Sequence, residues 1–125
     1  MNEDELSNLI IGAAIEVHRE VGPGLLESVY EECMVLELGS RGIPFERQKE
    51  IPLCYKGNQI ESNLRLDLLV DHLVIVELKA VEAVLPIHEA QLLTYLKMTG
   101  CKLGLILNFN VRMLKDGIHR KVNHL

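Results

Sequence analysis

The sequence predicts an α/β sandwich, one mixed β-sheet with helices packed on its faces. Three observations carry that prediction. Apolar residues recur at helical spacing over the first third of the chain and again near residue 90. Between them lie period-two and nearly all-apolar stretches bounded by turn residues. Strands in hairpin succession, followed by a helical crossover to a further strand, require both antiparallel and parallel pairing in a single sheet. With 125 residues, 48% hydrophobic and 25% charged, the chain is expected to form one domain over residues 1–125 with a core of ordinary size.

Leu6, Leu9, Ile10, Ala13 and Val17 predict a first helix over about residues 4–20, with Ser7 or Asp4 as its N-cap. Val21-Gly22-Pro23-Gly24 then breaks the chain, since Pro lacks a donor and Gly tolerates positive φ. A second helix is expected over about 25–41, with Leu26, Val29, Tyr30 and Cys33 as its apolar stripe and Gly39 or Gly42 as its stop. Phe45 to Tyr55 reads as a strand and Lys56-Gly57-Asn58 as a turn. In the next strand, Ile60 to Val70, strict alternation puts Leu64, Leu66, Leu68 and Val70 on one face. Asn63, Arg65, Asp67 and Leu69 then take the other. Leu73 to Val81 is apolar enough for a central strand buried on both faces. Pro86 suits the first turn of a third helix over about 86–99, closed by Gly100, and Lys102 to Asn108 is a short apolar strand. Residues 111–122 are expected as an edge strand or hairpin. The order is α-α-β-β-β-α-β.

Charge and cysteine usage exclude several classes. The net charge of −5 conceals an asymmetry: residues 1–40 carry −8 and residues 41–125 carry +3. An acidic chain is a poor binder of nucleic acid by bulk charge alone, unless metal ions neutralise carboxylates at the contact. No apolar run approaches the roughly 18 residues that a bilayer requires, so no membrane association is expected. The acidic start Met1-Asn2-Glu3-Asp4-Glu5 is the reverse of a secretory leader. Cys33, Cys54 and Cys101 are odd in number and lack CxxC spacing, which argues against a disulfide framework and predicts small buried hydrophobes in a reducing cytoplasm.

The informative anomaly is Glu77-Leu78-Lys79 inside the most apolar strand. Buried charges are costly unless paired or bound to a metal. Period two places Glu77 and Lys79 on one face, about 7 Å apart along the strand. Asp67 lies on the preceding strand. A two-residue turn at Asp71-His72 would put it on the opposite face from Glu77, whereas a three-residue turn or a bulge would set the two carboxylates side by side. Converging carboxylates make a hard-oxygen site suited to Mg²⁺ or Mn²⁺. Lys79 beside them would orient or polarise a water and steady a phosphorane-like transition state. The bland alternative is an ion pair of Lys79 with Glu77 or Asp67 that satisfies only itself. Gln91 and Tyr95, at i and i+4 with His88 at i−3, share one face of the third helix. Glu27 and Tyr30 stand at i and i+3 on the second, where Glu27 could instead be a partner of the helix dipole.

Gly24-Leu25-Leu26-Glu27-Ser28-Val29-Tyr30 matches GxxExxY in full, and the chain resembles the GxxExxY proteins, which are assigned to the PD-(D/E)XK nuclease superfamily. The resemblance covers roughly residues 5–122. Asp67 with Glu77-Leu78-Lys79 is similar to that superfamily's D…(D/E)xK core, and Gln91-Leu92-Leu93-Thr94-Tyr95 to the QxxxY motif of nucleases resembling those in bacterial recombination helicase–nucleases. The resemblance implies a restriction-endonuclease-like fold and metal-dependent hydrolysis of phosphodiesters, DNA foremost with RNA as an open alternative. Asp67 and Glu77 would hold the metal with the Leu78 carbonyl, and Glu27 would be an outer or second-metal carboxylate. Lys79 would act on the water or transition state, and Gln91 and Tyr95 would position the strand or the lysine. Leu66 replaces the proline that usually precedes the first acid, and the cysteine ligands of the iron–sulfur subset are absent, so no cluster is expected. The different-class alternative is a non-catalytic nucleic-acid or protein interaction module that keeps the fold. With no Trp, three Tyr and two Phe, the chain has little surface for base stacking, so a homodimer or a larger protein partner is also expected.

Overall fold

The computed structural model describes residues 1–125. Helix α1, Glu3–Val21, begins one residue earlier than the apolar pattern suggests. Its N-cap is Asn2, whose side-chain oxygen accepts the Glu5 N–H at 2.8 Å. Ser7, expected as a cap, is instead buried on the inner face. Helix α2, Glu27–Ser40, buries Tyr30, Met34 and Leu38, an i, i+4, i+8 stripe. The expected stripe through Leu26 fails, because Leu26 is the N-cap and stands exposed. Gly39 lies within the helix, and the stop is Arg41 followed by Gly42 at φ 69°.

Strands β1, Phe45–Tyr55, and β2, Asn58–Val70, form a long hairpin closed by Lys56 and Gly57, both at positive φ. Strand β3, Val74–Lys79, follows, then helix α3, Pro86–Thr99, which ends at Gly100 in the left-handed conformation. Strand β4, Leu103–Asn108, is buried throughout. The C-terminal segment divides into a 3₁₀ turn, Leu114–Gly117, and strand β5, Ile118–Val122.

The five strands form one sheet in the order β1-β2-β3-β4-β5. Only β3 and β4 are parallel, as the helical crossover between them requires. Helices α1 and α2 cover one face around Leu6, Ile10, Tyr30, Met34 and Phe109. Helix α3 covers the other through Leu92 and Leu96. This is the mixed α/β sandwich that the sequence predicts, consistent with a restriction-endonuclease-like fold. No helix is long and apolar enough to cross a membrane.

Alternation along β2 does not hold as expected. Leu68 and Val70 face α1 and α2, but Leu64 and Leu66 join the α3 side with Leu69. The face therefore switches between Leu66 and Leu68, at Asp67. On β1 the matching residue is Gln48, at φ 50°. The register is unchanged across it, with Arg47 opposite Leu68 and Lys49 opposite Leu66. One left-handed residue thus turns the outer hairpin over without a change in pairing count.

Candidate active site

The turn between β2 and β3 spans three residues, Asp71, His72 and Leu73, because Val70 pairs with Val74. Asp71 and His72 both adopt positive φ, and Leu73 N–H donates to Val70 O at 2.9 Å. This odd length carries the register so that Asp67 comes opposite Glu77. The regular ladder ends at Leu68–Val76, and side chains take over from there. Asp67 N–H donates to Glu77 Oε2 at 2.9 Å, and Leu78 N–H donates to Asp67 Oδ2 at 2.8 Å. Each carboxylate thus satisfies a backbone group that the diverging strands leave without a partner.

Electrostatics follow from this burial. Glu77 is only 8% exposed. Desolvation first, then the neighbouring charge of Asp67, pushes its pKa up to about 8. Asp67 is also raised, chiefly by desolvation, while the Leu78 amide, Lys79 and Gln48 favour its charged form. Two acids that cannot both ionise cheaply therefore share the end of one strand pair. Lys79, half-buried on the same face of β3, enters none of the chain's ion pairs. The self-satisfied ion pair is not what the structure contains.

Glu27 is the first residue of α2, and its carboxylate feels Lys79, Asp67 and the Ala80 amide. Partial desolvation raises its pKa most, and Lys79 opposes that shift. Glu27, Ser28, Glu31, Gln48, Asp67 and Leu78 line an open cleft of about 320 Å³. From the other face, half-buried Tyr95 senses the same pair: desolvation, then Glu77 and Asp67, raise its phenol pKa. Gln91, one turn before it, is exposed and makes no side-chain hydrogen bond within the chain. His88 has a local task, since its Nδ1 accepts the Leu85 N–H at 3.0 Å at the start of α3. The structure therefore groups Asp67, Glu77, Leu78, Lys79, Glu27 and Tyr95, and leaves the Gln91 side chain exposed on α3, outside the cleft lining.

Tyr30 is fully buried and stacks on Phe109 with ring centroids 4.5 Å apart. Its hydroxyl donates to Gly22 O at 2.6 Å and accepts from Leu25 N–H at 3.2 Å, which fixes the loop feeding Glu27 into the cleft. Gly24, at φ 92°, supplies the turn in that loop. Three cleft residues receive no role from the sequence, Ser28, Glu31 and Gln48. Glu31 is four residues after Glu27 and so on the same helix face, a signal that spacing could have supplied. Nothing in the sequence marks Gln48.

The donor set fits a hard divalent cation. No three His, Cys, Asp or Glu residues stand in ligating geometry. Mg²⁺, however, is commonly held by one or two carboxylates, its remaining positions filled by water and substrate phosphate oxygens. Asp67 and Glu77, with the Glu27 and Glu31 carboxylates lining the same cleft as Asp67, supply oxygen ligands of that kind. The family model of the PD-(D/E)XK nuclease superfamily matches residues 4–121. No curated protein and no solved structure matches the chain.

Proposed function

The chain belongs to the PD-(D/E)XK nuclease superfamily, and on that premise we propose that it hydrolyses DNA phosphodiesters with Mg²⁺ or Mn²⁺. Residues 1–125 are proposed to act as a single nuclease domain. The observation that carries this reading is the pairing of buried Glu77 with half-buried Asp67 beside a lysine that neutralises neither by direct contact. Asp67 and Glu77 would hold the cation, with the Leu78 carbonyl and Glu27 as further oxygen donors. Bound there, a divalent cation supplies Lewis acidity and lowers the pKa of water.

The rest falls to the chain's own groups. Lys79 brings positive charge to the flank of the acid pair, where it orients the attacking water and stabilises charge building on the phosphoryl oxygens. Tyr95, whose raised pKa keeps the phenol protonated, offers a hydrogen-bond donor toward the same centre. Gln91, exposed on α3, is free to meet the nucleic-acid strand. Within GxxExxY, membership of that family is supported by a division of labour: Gly24 turns the chain, Glu27 enters the cleft and Tyr30 locks the loop. A cytoplasmic setting is part of the proposal, supported by three unpaired cysteines, which are not the buried hydrophobes expected: Cys54 is exposed, and Cys33 and Cys101 are half-buried. So is a second copy or larger protein partner, since five aromatic side chains offer little stacking surface.

Lys79→Ala tests the reading. It should retain Mn²⁺ uptake and lose cleavage of single-stranded, duplex or branched DNA by about 10²–10³-fold. Wild-type protein that binds Mn²⁺ yet cleaves none of these DNAs, and no RNA, would replace hydrolysis with an interaction module.

A further inference from the structure

We propose that Gln48 is a positioning residue that sets Asp67 for metal binding, an inference that rests on the metal-site reading above. Two independent features of the structure meet at this residue. The first is its backbone. At φ 50°, Gln48 occupies the left-handed region that glycine and asparagine adopt readily and glutamine does not. It does so in the middle of an 11-residue strand, opposite Asp67, at the point where the hairpin changes faces. Strained backbone inside a regular strand persists only where the surroundings hold it.

The second feature is the side chain. The Gln48 amide lies between two carboxylates, donating from Nε2 to Glu31 and lying 3.5 Å from Asp67 Oδ1. Both neighbours are acceptor-only when ionised, so the atom between them is the donor nitrogen. Asp67 is thereby held from two sides, by the Leu78 N–H on Oδ2 and by the Gln48 amide toward Oδ1. Glu31 is in turn anchored by Arg47 Nε at 2.8 Å. The chain of contacts runs Arg47–Glu31–Gln48–Asp67, from one helix and one strand onto the acid that opens the site. Outer contacts of this kind orient ligating carboxylates and tune their affinity.

The two features make separate demands, and substitution can part them. Glycine at position 48 keeps the left-handed backbone, relieves its strain and deletes the amide. A residue there for folding alone would be improved by that change. A positioning residue would leave a sound fold with a poorer site, the usual exchange between stability and function.

The experiment is calorimetric titration with Mn²⁺ alone, run beside thermal unfolding, on wild type, Gln48→Gly and Asp67→Ala. The expected result for Gln48→Gly is an unfolding midpoint equal to or above wild type, with Mn²⁺ affinity down about tenfold or more. Should the glycine variant misfold, Gln48→Met serves, because it keeps the Cβ and the length while removing the donor; the same affinity loss is expected. Unchanged affinity in the folded variant, with affinity abolished in Asp67→Ala, overturns the role of Gln48 and leaves the metal site standing. Affinity that survives Asp67→Ala, or wild type that takes up no Mn²⁺, overturns the metal reading and this inference with it.

Discussion

Asp67→Asn should abolish Mn²⁺ binding and lower DNA cleavage on the order of 10³-fold or more. Asparagine keeps an oxygen to accept the Leu78 N–H, so the structural bond at 2.8 Å survives while the negative charge is lost. That separation matters. Removing the side chain altogether would leave the Leu78 amide without its partner, which costs about 1–3 kcal/mol in a buried setting. A folded Asp67→Asn protein with undiminished cleavage would remove Asp67 from the chemistry. The comparison is made on single-turnover cleavage rates and on calorimetric affinity.

Glu77→Gln should stabilise the fold at alkaline pH while losing function as Asp67→Asn does. Burial and Asp67 raise the Glu77 pKa from 4.5 to about 8. A carboxyl whose folded pKa lies above its unfolded value stabilises the fold fully below the unfolded pKa, and that contribution is lost as pH rises through the folded pKa. Wild type without metal should therefore weaken between about pH 4.5 and pH 8, by on the order of 4 kcal/mol from this group. Glutamine resembles the protonated acid and carries no such dependence. The variant should match wild type near pH 5 and exceed it near pH 9, in urea unfolding, while losing Mn²⁺ affinity. A variant less stable than wild type at both values would mean that the Glu77 charge supports the fold.

Much of this site is legible in the sequence because it violates the rules of its surroundings. Glu77 and Lys79 stand out in the most apolar strand, and the period-two argument makes the turn length decisive for Asp67; the turn of Asp71, His72 and Leu73 has the odd length required. Strand β1 is legible to its end residues, Phe45 and Tyr55, since turn chemistry brackets it. What is not legible follows from rules that assume regularity. Alternation places Leu64 and Leu66 with Leu68, and it fails at Asp67, across the hairpin from the left-handed Gln48. The helical wheel sets Gln91 and Tyr95 on one face, yet α3 buries only Leu92 and Leu96 fully, so the flank holds one residue near the acids and leaves the other in solvent. The α2 stripe begins a turn later than periodicity suggests, because the break at Gly22–Gly24 leaves Leu26 as a cap. The C-terminal segment mixes a 3₁₀ turn with an edge strand, and weak alternation cannot separate the two.

A divalent cation held as proposed by Asp67 and Glu77 would have to displace the proton that burial and Asp67 keep on Glu77 up to about pH 8. The most direct measurement is Mn²⁺ calorimetry on wild type at about pH 6.5 and pH 8.5, in buffers of different ionisation enthalpy. Release of about one proton per ion is expected at the lower pH, little at the higher, and tighter binding as pH rises. Binding with the same affinity at both values and no proton released would contradict that displacement.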